Sequence, residues 1–428
     1  MGRFVLVVGN GGREHALAWR LAASPSVDRV ATAPGNPGTA ACGPNLAVDP
    51  TDPVAVADLA EAEGVDLVAV GPEAPLVAGV VDELQRREIP AFGPTAAGAQ
   101  IEGSKAFAKD VMQASGAPTG GYVATGDRDE AFDALDRFGG PYVVKADGLA
   151  AGKGVRICAS RDEARDAVDD ALVRGVFGEA GSQVVVEQFL LGPERSVFGV
   201  CDGEDVVLLA PAQDYKRALD SDEGLNTGGM GAYTPVPDFA LEDVDHLREL
   251  VFLPVLRELA ARGAPYRGLL YAGLVDTIDG PQLLEFNARF GDPETQVILP
   301  KLASDLGDLL HASAVGSVAD VEVTWHDDAV VTVVLASGGY PEGYATGVPI
   351  LGVDEAVGHD GVTVFHAGTA RDVDGRLVTA GGRVLDVTAR GADVAEARSR
   401  AYAAADRIRW DGQHRRGDIA AHLGSRPS

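Results

Sequence analysis

Phe4-Val5-Leu6-Val7-Val8-Gly9-Asn10-Gly11-Gly12-Arg13-Glu14-His15 opens the chain with an apolar run, a glycine turn and a charged stretch. A continuous apolar strand is one buried on both faces, as in a parallel sheet. The helical spacing of Ala16, Leu17 and Leu21 makes Arg13–Ala23 the helix of a strand–turn–helix unit. The pattern recurs in Asp66–Val70, the turn Gly71-Pro72-Glu73-Ala74-Pro75, a helix from about Leu76 to Arg87, and a strand over Ile89–Phe92. This alternation predicts a doubly wound parallel sheet over residues 1–103. Ligands of such sheets lie at the carboxyl ends of the strands, where both glycine-containing turns fall.

The texture then changes. Helical stretches at Lys105–Ser115, Arg128–Phe138, Arg161–Arg174 and Leu241–Arg262 alternate with strands at Tyr142–Lys145, Val155–Ala159, Val184–Gln188 and Val206–Leu209. Long glycine-rich connections lie between them, and such connections usually carry function. This second unit is expected over residues 104–325. Strands at Val330–Ala336, Val362–His366 and Gly382–Val387, with a helix near Val394–Ile408, predict a smaller strand-rich unit over 326–428. The class is α/β and α+β, multidomain.

Composition narrows the function. The 428 residues carry a net charge of −28, with only six lysines. Such a body does not coat nucleic acid or an anionic membrane through its overall field. No apolar run approaches the ~20 residues of a spanning helix. Arg13 follows the first apolar run too closely for a signal peptide. Cys42, Cys158 and Cys201 are isolated and read as buried thiols in a reducing cytoplasm. The acidity fits either a salt-adapted surface or a biased composition.

Lys145-Ala146-Asp147-Gly148-Leu149-Ala150-Ala151-Gly152-Lys153-Gly154 places two of the six lysines and three glycines together. Glycines let backbone N–H groups approach phosphate oxygens, and the ammonium groups neutralise charge. The spacing is not that of a Walker loop, and a hairpin turn with solvated lysines gives the same string. Leu284-Glu285-Phe286-Asn287-Ala288-Arg289-Phe290-Gly291-Asp292 puts Glu285, Asn287 and Arg289 on one strand face and Phe286 and Phe290 on the other. A carboxylate and an amide oxygen suit Mg²⁺, and Arg289 suits a transferring phosphoryl group; an exposed edge strand is the alternative. Gln213-Asp214-Tyr215-Lys216-Arg217 and Asn226-Thr227-Gly228-Gly229-Met230-Gly231 combine a basic spot with a glycine-rich loop. Gly9–Gly12 before a helix suits a phosphate, though Glu14 stands where a dinucleotide fingerprint needs glycine.

Taken in order, these segments, with Pro34-Gly35-Asn36 and Gly103-Ser104-Lys105, resemble the glycinamide ribonucleotide synthetases of the ATP-grasp superfamily. The resemblance runs from Phe4 to about Ile419. It implies a central ATP-grasp domain and ligation of glycine to 5-phosphoribosylamine with ATP, through a glycyl phosphate, on the way to purines. It also implies that Lys105 and Lys145 touch ATP phosphates and that Gly148, Gly152, Lys153 and Gly154 close over them. Glu187, Gln188, Phe189 and Leu190 form the adenine hinge, and Glu194 meets the ribose. Glu285 and Asn287 hold Mg²⁺ or Mn²⁺. Gly9, Gly11, Gly12 and Glu73 receive the phosphoribosyl part, and Asn226, Gly229 and Asp292 also line the substrate site. Arg289, Lys216 and Asp214 are the expected catalytic groups. A monomer or dimer is expected, with neither nucleic acid nor membrane as partner.

Where the family carries histidine, this chain has Tyr215, whose neutral phenol cannot accept a proton at pH 7. No role is expected of Arg416-Gly417-Asp418-Ile419. A biotin-type carboxylase, a nicotinamide oxidoreductase and a non-catalytic nucleotide binder are the rival readings. The missing third glycine weakens the second, and the concentration of lysines weakens the third.

Overall fold

In the computed structural model, the opening apolar run becomes strand β1 (Arg3–Gly9), with Val5–Val8 fully buried. The structure describes residues 2–148, 154–237, 239 and 241–423. Strands β2 (Val27–Pro34), β3 (Leu67–Val70) and β4 (Ala91–Phe92) join β1 in a parallel sheet of order β2-β1-β3-β4. The turn at Gly9–Gly11 leads into helix α1 (Gly12–Ala22) at the carboxyl edge of this sheet. The helix expected from Leu76 to Arg87 is two, Glu73–Val77 and Val80–Arg86. Gly79 between them takes φ +90°, the left-handed region that ends a helix.

Two antiparallel four-stranded sheets make up the middle of the chain. One runs in the order Tyr122–Thr125, Val184–Gln188, Tyr142–Ala146, Val155–Cys158. Helices Arg128–Phe138 and Arg161–Leu172 cover it, closing a small core of their own around Leu135, Val144, Val168 and Val186. The other runs Val206–Leu208, Glu194–Asp202, Arg267–Thr277, Gly280–Asn287. The helix expected over Leu241–Arg262 carries a π-helical turn at Arg248–Phe252 before Leu253–Ala261. Pro254, which lacks an N–H for the regular ladder, follows at once.

A fourth sheet crosses the division drawn from sequence. Its order is Gln213–Asp214, Gly231–Thr234, Ala329–Ser337, Arg383–Gly391, Val362–His366, with Gln413–His414 paired to the end of Ala329–Ser337. Its first two strands come from the middle of the chain. They flank Lys216 and the Asn226–Gly231 loop, so the C-terminal strands directly support that part of the site.

Candidate active site

Lys105 begins the helix Lys105–Ser115, and Ser104 caps it by accepting the Phe107 N–H. Asp147 accepts from the Ser104 hydroxyl and from the Ala106 amide at 2.7 Å, tying the helix start to the end of strand Tyr142–Ala146. The Lys105 ammonium reaches the Gly148 carbonyl at 3.1 Å. Gly148 packs so closely on Ala180 that a Cβ would stand 2.7 Å from the Ala180 methyl. Gly152 and Lys153 lie outside the described residues. Gly154 closes the turn by accepting the Ala146 N–H at 2.8 Å.

Glu187 has a different place from the one expected. Its carboxylate sits between two ammonium groups, with Lys145 at 2.8 Å and Lys109 at 2.9 Å. Burial works to raise its pKa, but the two lysines hold it below the ordinary carboxylate value. Burial also acts on Lys145, and Glu187 with Glu285 keeps that ammonium above its ordinary value. The Gln188 N–H is engaged by the Gly121 carbonyl at 2.8 Å, so it is not free for a base. Phe189 and Leu190 lie just beyond this strand, and Leu190 packs on Gly120.

On strand Gly280–Asn287 the alternation holds. Phe286 and, beyond the strand, Phe290 are buried, while Glu285 is partly open to the cleft. Burial would raise the Glu285 pKa, but Lys216, Lys145, Lys105 and Arg289 hold it below its ordinary value. Lys216 pairs with Glu194 at 2.6 Å and lies 4.0 Å from Glu285. Asp214 is pushed up to about 7 by burial, with Glu294, Glu194 and Glu285 adding to it and Lys216 opposing. Among the described residues no three His, Cys, Asp or Glu side chains gather as a metal cage. Glu285 and Asn287 instead fit a hard cation that completes its shell with phosphate oxygens and water.

Arg289 is braced on several sides. Its guanidinium meets Glu102 at 2.9 Å, Glu73 at 3.4 Å, and the Phe290 carbonyl at 3.2 Å. Glu73 thus faces Arg289, and Arg289 with Arg13 keeps it ionised against the effect of burial.

The N-terminal turn is shaped around a buried carboxylate. Glu14 accepts the Gly11 N–H at 2.6 Å and pairs with Arg13, whose guanidinium also donates to the Phe290 carbonyl. The Gly11 N–H is therefore already taken, and a phosphate would have to use other donors of the turn. Gly9 has φ +128°, and a Cβ there would come within 2.6 Å of Glu14. A Cβ on Gly12 would stand 2.0 Å from the Asp386 carboxylate. Gln296 donates to both Asp292 (2.7 Å) and Asp386 (2.9 Å). Arg383 pairs with the Asp292 carboxylate and donates to the carbonyls of Asp292 and Gly228. Gly229 packs on Pro293, where a Cβ would stand at 2.4 Å, so the Asn226–Gly231 loop sits against the Asp292 segment.

Glu102, Gln296, Arg383 and Asp386 were not singled out from the sequence. Only Glu102 had a local signal, its place beside Gly103-Ser104-Lys105. Tyr215 points away from the cleft: its hydroxyl accepts the Ala420 N–H at 2.8 Å and its ring lies under Arg416. Arg416 is fully buried and pairs with Asp222 and Asp418, so this segment is a structural latch.

Two antiparallel sheets meeting over a lysine-rich cleft, with a carboxylate and an amide side by side on one strand, define an ATP-grasp enzyme. Models of the phosphoribosylglycinamide synthetase N domain, ATP-grasp (A) domain and C domain match residues 3–102, 103–295 and 330–422. A phosphoribosylamine–glycine ligase of Phenylobacterium zucineum is 51% identical over 97% of this chain and 98% of its own length. One of Streptomyces coelicolor is 52% identical over 97% and 98%. The crystal structure of a phosphoribosylamine–glycine ligase from Thermotoga maritima superposes with a TM-score of 0.83 at 33% identity, covering 97% of this chain and 100% of that one. A biotin carboxylase domain from Hydrogenobacter thermophilus shares the fold, with a TM-score of 0.71 at 18% identity over 97% and 92%. The chain belongs to the phosphoribosylglycinamide synthetase family, whose members are carbon–nitrogen ligases.

Proposed function

We propose that the protein joins glycine to 5-phosphoribosylamine at the expense of ATP, giving glycinamide ribonucleotide, ADP and phosphate. The observation that carries this reading is the gathering of Lys105, Lys145, Lys216 and Arg289 around Glu285. In a chain of net charge −28 that cleft is where polyanions are received. Lys105 and Lys145 hold the ATP phosphates, and the segment around Gly148 and Gly154 covers them. Phe189 and Leu190, past the engaged Gln188 amide, offer backbone groups to adenine, and Glu194 lies at the ribose. Glu285 and Asn287 would hold Mg²⁺ or Mn²⁺, which would supply charge neutralisation at the phosphates.

A carboxylate is a poor acyl donor until an oxygen leaves as phosphate. The glycine carboxylate attacks the γ-phosphorus, ADP departs, and Arg289 faces the charge on the transferring group. The amine of phosphoribosylamine then attacks the acyl carbon and phosphate leaves. The departing phosphate carries off the proton shed by the amine, and Asp214, pushed up by burial beside Lys216, tunes the charge of the cleft. The Gly9–Gly12 turn, Glu73, Asn226, Gly229 and Asp292 line the acceptor side. A cytoplasmic monomer or dimer without nucleic acid or membrane partner completes the reading.

ADP release measured with each substrate omitted in turn tests it. Release should require glycine and phosphoribosylamine together. Turnover that continues without either one overturns the assignment, and bicarbonate-dependent release would favour a carboxylase.

A further inference from the structure

Glu102 stands in the last turn of the helix Ala96–Gly103, in the N-terminal region. Its two oxygens take different donors from the segment that follows strand Gly280–Asn287. One accepts the Ala288 N–H at 2.7 Å, and the other meets the Arg289 guanidinium at 2.9 Å. Its side chain is only 8% exposed, so it is poorly placed to touch a substrate directly. Two residues further on, Ser104 caps the helix whose first residue, Lys105, reaches the Gly148 carbonyl. One helix junction therefore holds a lysine of the phosphate cleft on one side and, on the other, the arginine that faces the transferring phosphoryl group.

We propose that Glu102 is a positioning residue for the phosphoryl-transfer half of the reaction, the activation of glycine, holding the Arg289 guanidinium in place through a carboxylate that also binds the adjacent Ala288 N–H. This rests on the functional reading above. Arg289 has long side-chain freedom and three carbonyl or carboxylate neighbours besides Glu102. Glu73, 3.4 Å away and one-third exposed, is a looser partner than Glu102. The Ala288 N–H holds the other oxygen, so the carboxylate that faces the guanidinium is itself tied to the same segment and keeps one orientation. A carboxylate suits this because both of its oxygens accept. Glutamine has only one acceptor oxygen, so Glu102→Gln must release either the Ala288 N–H or the guanidinium. Burial raises the Glu102 pKa and Arg289 opposes that rise, so the clamp depends on the arginine as much as the arginine depends on it.

The test is a double-mutant cycle on the intact enzyme with initial rates for each substrate. Glu102→Gln should lower kcat/KM for glycine at least tenfold and leave KM for ATP within twofold. In an Arg289→Ala background the same change should lower glycine kcat/KM by less than twofold, because Glu102 acts through that arginine. Glu102→Asp keeps the charge but shortens the reach, and should fall between wild type and Glu102→Gln. Additive effects in the cycle, or an equal rise in KM for ATP and glycine, overturn the proposal and leave Glu102 a general structural residue. Wild-type ADP release that ignores glycine overturns the functional reading instead, and this proposal with it.

Discussion

Glu187→Gln isolates the electrostatics of the ATP cleft. Its carboxylate oxygens lie 2.8 and 2.9 Å from the Lys145 and Lys109 ammonium groups, and both lysines are buried, at 5% and 2% exposure. The amide keeps the shape and removes the charge, leaving two buried cations without the carboxylate between them. Removing one partner of a buried ion pair costs about 3–5 kcal/mol. At the lower figure, local opening of the Val184–Gln188 sheet becomes roughly 100-fold more frequent, since about 1.4 kcal/mol is one decade.

Tryptophan fluorescence is a poor probe of this event, because Trp19, Trp325 and Trp410 all lie outside the stretch Tyr122–Gln188 that forms this sheet and its helices. Hydrogen exchange of peptides spanning Tyr142–Ala146 and Val184–Gln188 reads it directly. The pH dependence follows from the same pair. Glu187 titrates below its ordinary 4.5 in the folded protein, despite burial, because of Lys145 and Lys109. Its contribution is complete above 4.5 and is lost as pH falls through the lower folded value, so wild type and variant converge in acid. Exchange within threefold of wild type at pH 7 would refute the reasoning.

Tyr215→Phe leaves the buried Ala420 N–H without its acceptor and should cost about 1–3 kcal/mol in thermal denaturation, with kcat within twofold of wild type. Burial and Asp292 push the Asp386 carboxyl up to about 7 against Arg383. The folded protein thus keeps a proton that the unfolded chain releases near 3.8, and wild-type stability falls as pH rises between these values. In urea melts Asp386→Asn should therefore gain on wild type from pH 4 to pH 7 and hold that gain at pH 8. Activity and melting temperature should both rise from low to molar KCl, because salt screens the self-repulsion of the −28 surface; a flat response points to composition bias.

Where local chemistry decides an element, the sequence was readable to the residue. Lys105–Ser115 lies between the Ser104 cap and left-handed Gly116, and Arg128–Phe138 between the Asp127 cap and Gly139. The first strand and turn were equally plain. Strand β2 was not, because Asp28 and Arg29 stand exposed near its start and burial begins only at Val30. Gln213–Asp214 and Gly231–Thr234 are too short to carry a period, and they are strands only because Ala329–Ser337 pairs with the second of them. In the site, residues whose chemistry is intrinsic were legible: the lysines, Glu285, Asn287 and Arg289. Glu102 and Asp386 were not, since each gains meaning from a partner 186 or 90 residues away in the chain. Glu187 shows the same limit from the other side. Its position was anticipated, but its role as a counter-ion follows from Lys109, which carried no motif.

The sheet that crosses from the middle of the chain to its end also sets an order of events during synthesis. By residue 301 all six lysines have been made, and so have Glu285, Asn287 and Arg289. Yet Gly231–Thr234 then has no Ala329–Ser337 to pair with, and the Met230 carbonyl still lacks the Val334 N–H that anchors it. Arg383, which fastens Gly228 to Asp292, arrives later still. A ribosome-bound chain thus carries the six lysines, Glu285, Asn287 and Arg289 without a fastened loop, and competence comes only with the last quarter of the polypeptide.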